Sequence, residues 1–143
     1  MEKYQISEWT GNHLRWSEVV RFFDQHQSGL PEFIDGYDQR DSRILVAHTP
    51  RTILGILRLI VIPIGPEDNL PAVKTNGKEL LQAKVKNFFV LPEFRRRRIG
   101  TNLQKAAIDL ARSLHCCQLA SFSYSHSREN HALKLRMGFT VRP

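Results

Sequence analysis

The sequence predicts an α/β domain, one central sheet covered by helices on both faces, and three stretches carry that prediction. Residues 85–114 read in series as a strand, a proline, an arginine-rich turn and an amphipathic helix. Residues 43–48 and 53–62 read as a β-hairpin whose second strand is apolar almost throughout, which suits a central strand covered on both sides. Leu14, Val19, Val20, Phe22 and Phe23 recur at the spacing of a helix's apolar stripe.

The bulk properties fit one core. The chain has 143 residues, the size of a domain that buries roughly two-thirds of its unfolded surface, so residues 1–143 are expected to form a single domain. An apolar fraction of 41% and a charged fraction of 24% are those of a soluble globular protein. Lys and Arg number 21 against 14 Asp and Glu, a net charge of +7, which attracts polyanions at long range. Nucleic acid, a membrane surface and a phosphorylated cofactor all qualify. Cys116 and Cys117 are adjacent and poorly placed to pair with each other, and no spaced Cys/His set suggests a metal. A reducing cytoplasm and a site without metal are expected. No apolar run approaches the ~20 residues of a membrane span, and MEKYQISEWTG carries no signal-peptide core.

Taken in order, Tyr4, Ile6 and Glu8–Trp9 alternate as in a short first strand, followed by the helix over Leu14–Phe23. Residues 24–42 are rich in turn formers and acids. Leu30, Phe33, Ile34 and Tyr37 would dock a second short helix or loop there. Thr49, Pro50 and Arg51 join the hairpin. In the long connection 63–82, Asn76-Gly77 is a two-residue hairpin signal, expected to carry the two flanking strands past the sheet as a lid or an oligomer contact. Val85–Leu91 favours a strand, ended by Pro92, which has no N–H for the ladder. Ile99, Leu103, Ala106, Ala107, Leu110 and Leu114 then recur at helical spacing. Gln118–Tyr124 reads as another strand, 126–130 as a polar turn, and Ala132–Met137 as a short helix stopped by Gly138.

The chemistry concentrates in RRRRIGT, residues 95–101. A helix start leaves N–H groups without intrahelical partners and carries partial positive charge, so it stabilises an anion. Arg95, Arg96, Arg97 and Arg98 add four formal charges, and Gly100, lacking Cβ, lets another group come close. The run alone would read equally as an exposed basic turn that aids solubility; its place between a strand and a helix start favours the anion site.

FFVLPEFRRRRIGTNL resembles the central acetyl-CoA motif of the GNAT N-acetyltransferases, whose loop is written (Q/R)xxGx(G/A), and ENHALKLRMGF resembles the helix ending in Gly-Phe that closes that fold. FFV beside such a loop is similar to the spermidine/spermine members. Arg95 takes the (Q/R) position, Gly100 the last position, and Arg98 replaces the middle glycine. The resemblance implies an α/β (α+β) fold with a mixed, mostly antiparallel sheet flanked by helices on both faces. The chain ends at FTVRP, so the last strand of that fold is expected to be missing, an exposed edge that a second chain could fill as a homodimer.

The resemblance also implies site roles. The pantetheine arm of acetyl-CoA, a co-substrate, would lie along Phe88, Phe89 and Val90, with Val90 N–H polarising the thioester carbonyl. A plain buried strand would need no such ligand. The pyrophosphate would sit on the amides of Arg96, Arg97, Arg98, Ile99, Gly100 and Thr101, and the guanidinium of Arg95 or Arg97 could contact two oxygens at once. Asn130 and Ser127 lie where the family often has an asparagine touching the cofactor arm; each equally suits a helix cap. The acidic residue and the tyrosine of the polyamine enzymes are matched here by Lys86 and Lys134. That leaves Tyr124 as the first proton donor to the leaving thiolate and His126 as the second, with His131 behind them. Residues 24–42 would shape the acceptor pocket, where Asp35, Asp38 and Asp41 would meet an amine or remain solvated acids. Lys86 should repel polyamines, at ~1 kcal/mol per like-charge contact, and favours an acceptor carrying a carboxylate, a phosphate or an acidic peptide context.

The expected activity is acetyl transfer from acetyl-CoA to a primary amine, on a small molecule or a peptide, by direct attack on the thioester. Loss of the acid and base positions leaves open a catalytically silent acyl-CoA-binding domain. A basic nucleic-acid-binding module is disfavoured, because stacking aromatics are not interleaved with RRRR and the helix beyond adds only Lys105 and Arg112 as cations.

Overall fold

Strand β3 (Ile53–Pro63) is the axis of the molecule: ten apolar or glycine positions in eleven leave only Arg58 as a charge, and eight residues in succession from Ile53 are buried. A strand can be apolar on both faces only if both are covered. The computed structural model, in which residues 3–26 and 41–121 are described, puts β3 in the middle of a five-stranded sheet. Its order is β1 (Gln5–Trp9), β2 (Asp41–His48), β3, β6 (Leu81–Val90) and β7 (Cys116–Ser121). All neighbours are antiparallel except β6 and β7, which run parallel.

Two helices cover the faces. On α1 (Trp16–His26), Val19, Phe22 and Phe23 are buried against Trp9, Ile44, Val46, Ile53 and Ile56. On α2 (Ile99–Ser113), Ile99, Leu103, Ala107 and Ala111 repeat every four residues and close the second core with Leu45, Leu54, Leu57, Leu59, Val85 and Val90. Leu14 does not join the α1 stripe: it precedes the helix and is 97% exposed. The chain still turns there, where Arg15 pairs with Glu18 at 2.6 Å and donates to the Thr49 carbonyl oxygen at 2.7 Å.

The hairpin between β2 and β3 forms as expected, its turn closed by the Thr49 hydroxyl accepting the N–H groups of Arg51 and Thr52. The Asn76-Gly77 turn also forms, with both residues at positive φ, the type demanded by a two-residue hairpin. It does not lengthen the sheet, however. It joins two-residue strands β4 (Lys74–Thr75) and β5 (Lys78–Glu79) in a separate ribbon, because Ile64 N–H takes the Leu80 carbonyl oxygen and Val73 N–H then takes that of Ile64. Strands β6 and β7 begin earlier than their apolar runs suggest, at Leu81 and Cys116, since parallel pairing of 81–85 with 116–121 recruits the polar residues between. Among the described residues no helix is long and apolar enough to cross a membrane. The expected second helix or loop over Leu30–Tyr37, with Asp35 and Asp38, and the strand, turn and helix elements beyond Ser121 lie outside the described residues.

Candidate active site

The site is built where β6 gives way to α2. Leu59 pairs with Val85 but Arg58 with Asn87, so Lys86 is an extra residue in β6 and the strand bulges there. A bulge re-aims the chain beyond it. Lys86 itself is exposed, at the surface rather than in a pocket that would desolvate it.

Beyond the bulge, side chains alternate between the two cores. Phe88 and Val90 pack on the α2 side, and Phe89 packs on the α1 side. The main chain alternates as well. Leu91 N–H donates to the Leu54 carbonyl oxygen at 2.9 Å, which makes 54 and 91 a hydrogen-bonded pair. The antiparallel pattern then turns the N–H and C=O groups of Phe88 and Val90 away from β3, toward the β7 side. One of these is occupied by a side chain: Arg95 Nε donates to the Val90 carbonyl oxygen at 3.0 Å, with its guanidinium 5.3 Å from the Phe89 ring centre. Opposite Val90 lies Gly55, where a Cβ would come within 2.9 Å of the Phe89 carbonyl oxygen and 3.3 Å of Leu103 Cδ1. Strand β3 can lie this close only because that residue has no side chain.

Pro92 ends the ladder and opens a single 3-10 turn, Pro92–Phe94. The four arginines follow, all exposed. Arg96 and Arg98 are left-handed, at φ 65° and 63°, and Arg98 is the residue that flanks the helix start. Arg97 lies over Phe94, 5.7 Å from its centre. The first helical hydrogen bond is Asn102 N–H to the Arg98 carbonyl oxygen at 2.9 Å, so the helix supplies no acceptor to the N–H groups of Ile99, Gly100 and Thr101. The Asn102 side chain is held from the other flank by Tyr4, whose hydroxyl accepts its Nδ2–H at 2.6 Å. Three donors, a helix dipole and four cations thus meet at one loop.

Of the residues that the sequence singled out, Arg95 is brought against Val90 and Phe89, and residues 96–101 continue from it into the start of α2. Arg95 departs from expectation in that its guanidinium folds back on β6. Tyr124, His126, Ser127, Asn130, His131 and Lys134 lie outside the described residues. Sequence reasoning missed three participants. Tyr4 and Gly55 were signalled by strand alternation and by a glycine inside an apolar strand. His26 lies four residues after Phe22, on the same stripe, and its ring stacks on Phe89 at 4.9 Å and 16°. Arg58, a buried charge, crosses the sheet from Ser42 Oγ (3.0 Å) to Asn87 Oδ1 (3.2 Å).

Comparison with known proteins agrees with this geometry. The family model described as Acetyltransferase (GNAT) family matches residues 11–139. An aminoglycoside N(6')-acetyltransferase type 1 of Klebsiella aerogenes is 30% identical over 117 residues, 81% of this chain and 71% of that protein. Among solved structures, the aminoglycoside 6'-N-acetyltransferase AAC(6')-IG from Acinetobacter haemolyticus superposes with a TM-score of 0.70 at 18% identity, covering 97% of this chain and 92% of its own. AAC(6')-Iy bound to the bisubstrate analogue CoA-S-monomethyl-acetylneamine gives 0.70 and 18%, with 98% and 92% covered. At that identity the likeness is one of fold.

Proposed function

Because the chain belongs to the GNAT family of acetyltransferases, we propose that it moves the acetyl group of acetyl-CoA to a primary amine by direct attack of the amine on the thioester. The observation that carries this reading is the β6 edge: the Val90 N–H is turned from β3 and leads to the N–H groups of Ile99–Thr101, which find no backbone acceptor among the described residues, beneath four arginines.

The pantetheine arm would lie beside Phe88, Phe89 and Val90, and Val90 N–H would polarise the thioester carbonyl, a donor fixed before charge develops. The diphosphate would rest on the amides of Arg96, Arg97, Arg98, Ile99, Gly100 and Thr101. Arg95 would exchange the Val90 carbonyl for a phosphate oxygen, a stronger, charge-assisted bond. Asn130 completes the cofactor set, and Tyr124, then His126, would return a proton to the leaving thiolate. The chemistry needs no metal. A cytoplasmic setting suits a protein whose Cys116 and Cys117 are not in a disulfide.

For the acceptor, the relationship to the Klebsiella enzyme over most of the chain supports an amino sugar of the aminoglycoside type. A second reading, an amine bearing a carboxylate or phosphate, is favoured by exposed Lys86 at the bulge. Both are tested by incubating the protein with acetyl-CoA and a panel of aminoglycosides, simple amino sugars, amino acids and acidic peptides while following free thiol. Release with the sugars alone supports the first reading, and release with the anionic amines the second. Saturable CoA binding with no release on any amine would leave an acyl-CoA-binding domain. No saturation by calorimetry would end the proposal.

A further inference from the structure

We propose that His26 is the general base that takes the proton from the acceptor amine; this rests on the acetyl-transfer reading above and adds a catalytic residue to it. The placement follows from which face of the sheet α2 does not occupy. At the level of Val90, α2 closes one face, with Leu103 against the Gly55–Val90 pair. An amine attacking a carbonyl held in line with the Val90 N–H therefore arrives from the α1 face. The residue that marks that face is Phe89. It is covered by the last turn of α1: His26 stacked at 4.9 Å and 16°, and Phe22 edge-on at 6.0 Å. His26 is only partly buried, with its ring against Phe89 of the strand.

Among the described residues, His13 and His48 pack on Trp9, and His26 is the imidazole in contact with Phe89. Strand alternation places Arg58 of β3 and Lys84 of β6 on this face, Lys86 stands at the bulge, and Arg95 shares the Phe89 ring. None of these is an imidazole. On α1 itself, Asp24 lies two residues and Arg21 five residues before His26. Imidazole is the side chain whose ordinary titration range spans neutral pH. In the step, the acceptor's ammonium gives one proton to the His26 ring and becomes a neutral amine. Its nitrogen bonds to the thioester carbonyl carbon, the C–S bond breaks, and the nitrogen's second proton replaces the one that Tyr124 gives to the leaving thiolate. His26 then returns its proton to water, so acetyl-CoA and ammonium yield amide, CoA and one proton.

The deciding variant is His26→Phe, which keeps a ring on Phe89 and removes the base. General base catalysis contributes typically 10²–10⁴-fold. We expect wild-type thermal stability and CoA affinity, a kcat/KM at pH 7 lower by about 100-fold, and an acid limb displaced to higher pH, where the free amine loses its own proton. His26→Gln should behave likewise. A His26→Phe enzyme with wild-type kcat/KM and an unchanged acid limb would overturn the assignment while leaving acetyl transfer intact. A wild-type protein that binds CoA and acetylates no amine would remove acetyl transfer, and this base with it.

Discussion

Arg98 offers the cleanest test of how the phosphate loop is built. It stands at φ 63°, ψ 10° on the first residue before α2, a left-handed conformation that costs an L side chain roughly 1–2 kcal/mol and glycine nothing. Glycine also frees the unfolded chain, which returns about 0.4–1 kcal/mol of that gain. Comparing Arg98→Gly with Arg98→Ala removes the charge in both and leaves only the backbone term. The glycine variant should be the more stable by about 1 kcal/mol, or roughly 3 °C in Tm for a domain of this size. The two should lose the same CoA affinity, since each lacks one cation near the diphosphate, a contact worth on the order of 1 kcal/mol near the surface. Thermal or urea unfolding at constant pH, with calorimetry for CoA, reads both quantities. An alanine variant as stable as the glycine one would refute the left-handed assignment and the loop geometry drawn from it.

Gly55→Ala should destabilise by about 1–3 kcal/mol, the usual cost of overpacking, because its Cβ would sit 2.9 Å from the Phe89 carbonyl oxygen. A shift in CoA affinity in the same variant would show that β3 positions the edge. Gly100→Asp should abolish CoA binding by adding negative charge and bulk at the helix start, and calorimetry showing unchanged affinity would place the diphosphate elsewhere. Burial, then the neighbouring Arg15 and His13, hold the His48 pKa below its usual 6.5. A histidine depressed in the fold adds stability above the unfolded value and loses it as pH falls below about 6.5. Melting curves between pH 7 and pH 5 should therefore decline more in the wild type than in His48→Gln, a window above the range where Glu18, lowered by its bond to Arg15, begins to titrate.

By itself the sequence determined the parts that are local. The period of Ile99, Leu103, Ala107 and Ala111 makes a one-faced helix, the unbroken run of β3 requires a covered strand, Asn76-Gly77 makes a tight turn, and Pro92 stops a ladder. Each follows from side-chain spacing or from one residue's backbone limits, so each is legible without a partner. The resemblance of residues 84–139 to one family supplied the strand and loop of the site for the same reason, since that motif is contiguous. What the tertiary structure alone decided depends on contacts distant in sequence: that Asn76-Gly77 closes its own ribbon, that Arg95 bonds back to Val90, that Tyr4 braces Asn102 across 98 positions, and that His26 lies on Phe89. Register and twist, not composition, set which of those side chains meet, because one residue more in β6 at Lys86 fixes where everything after it points.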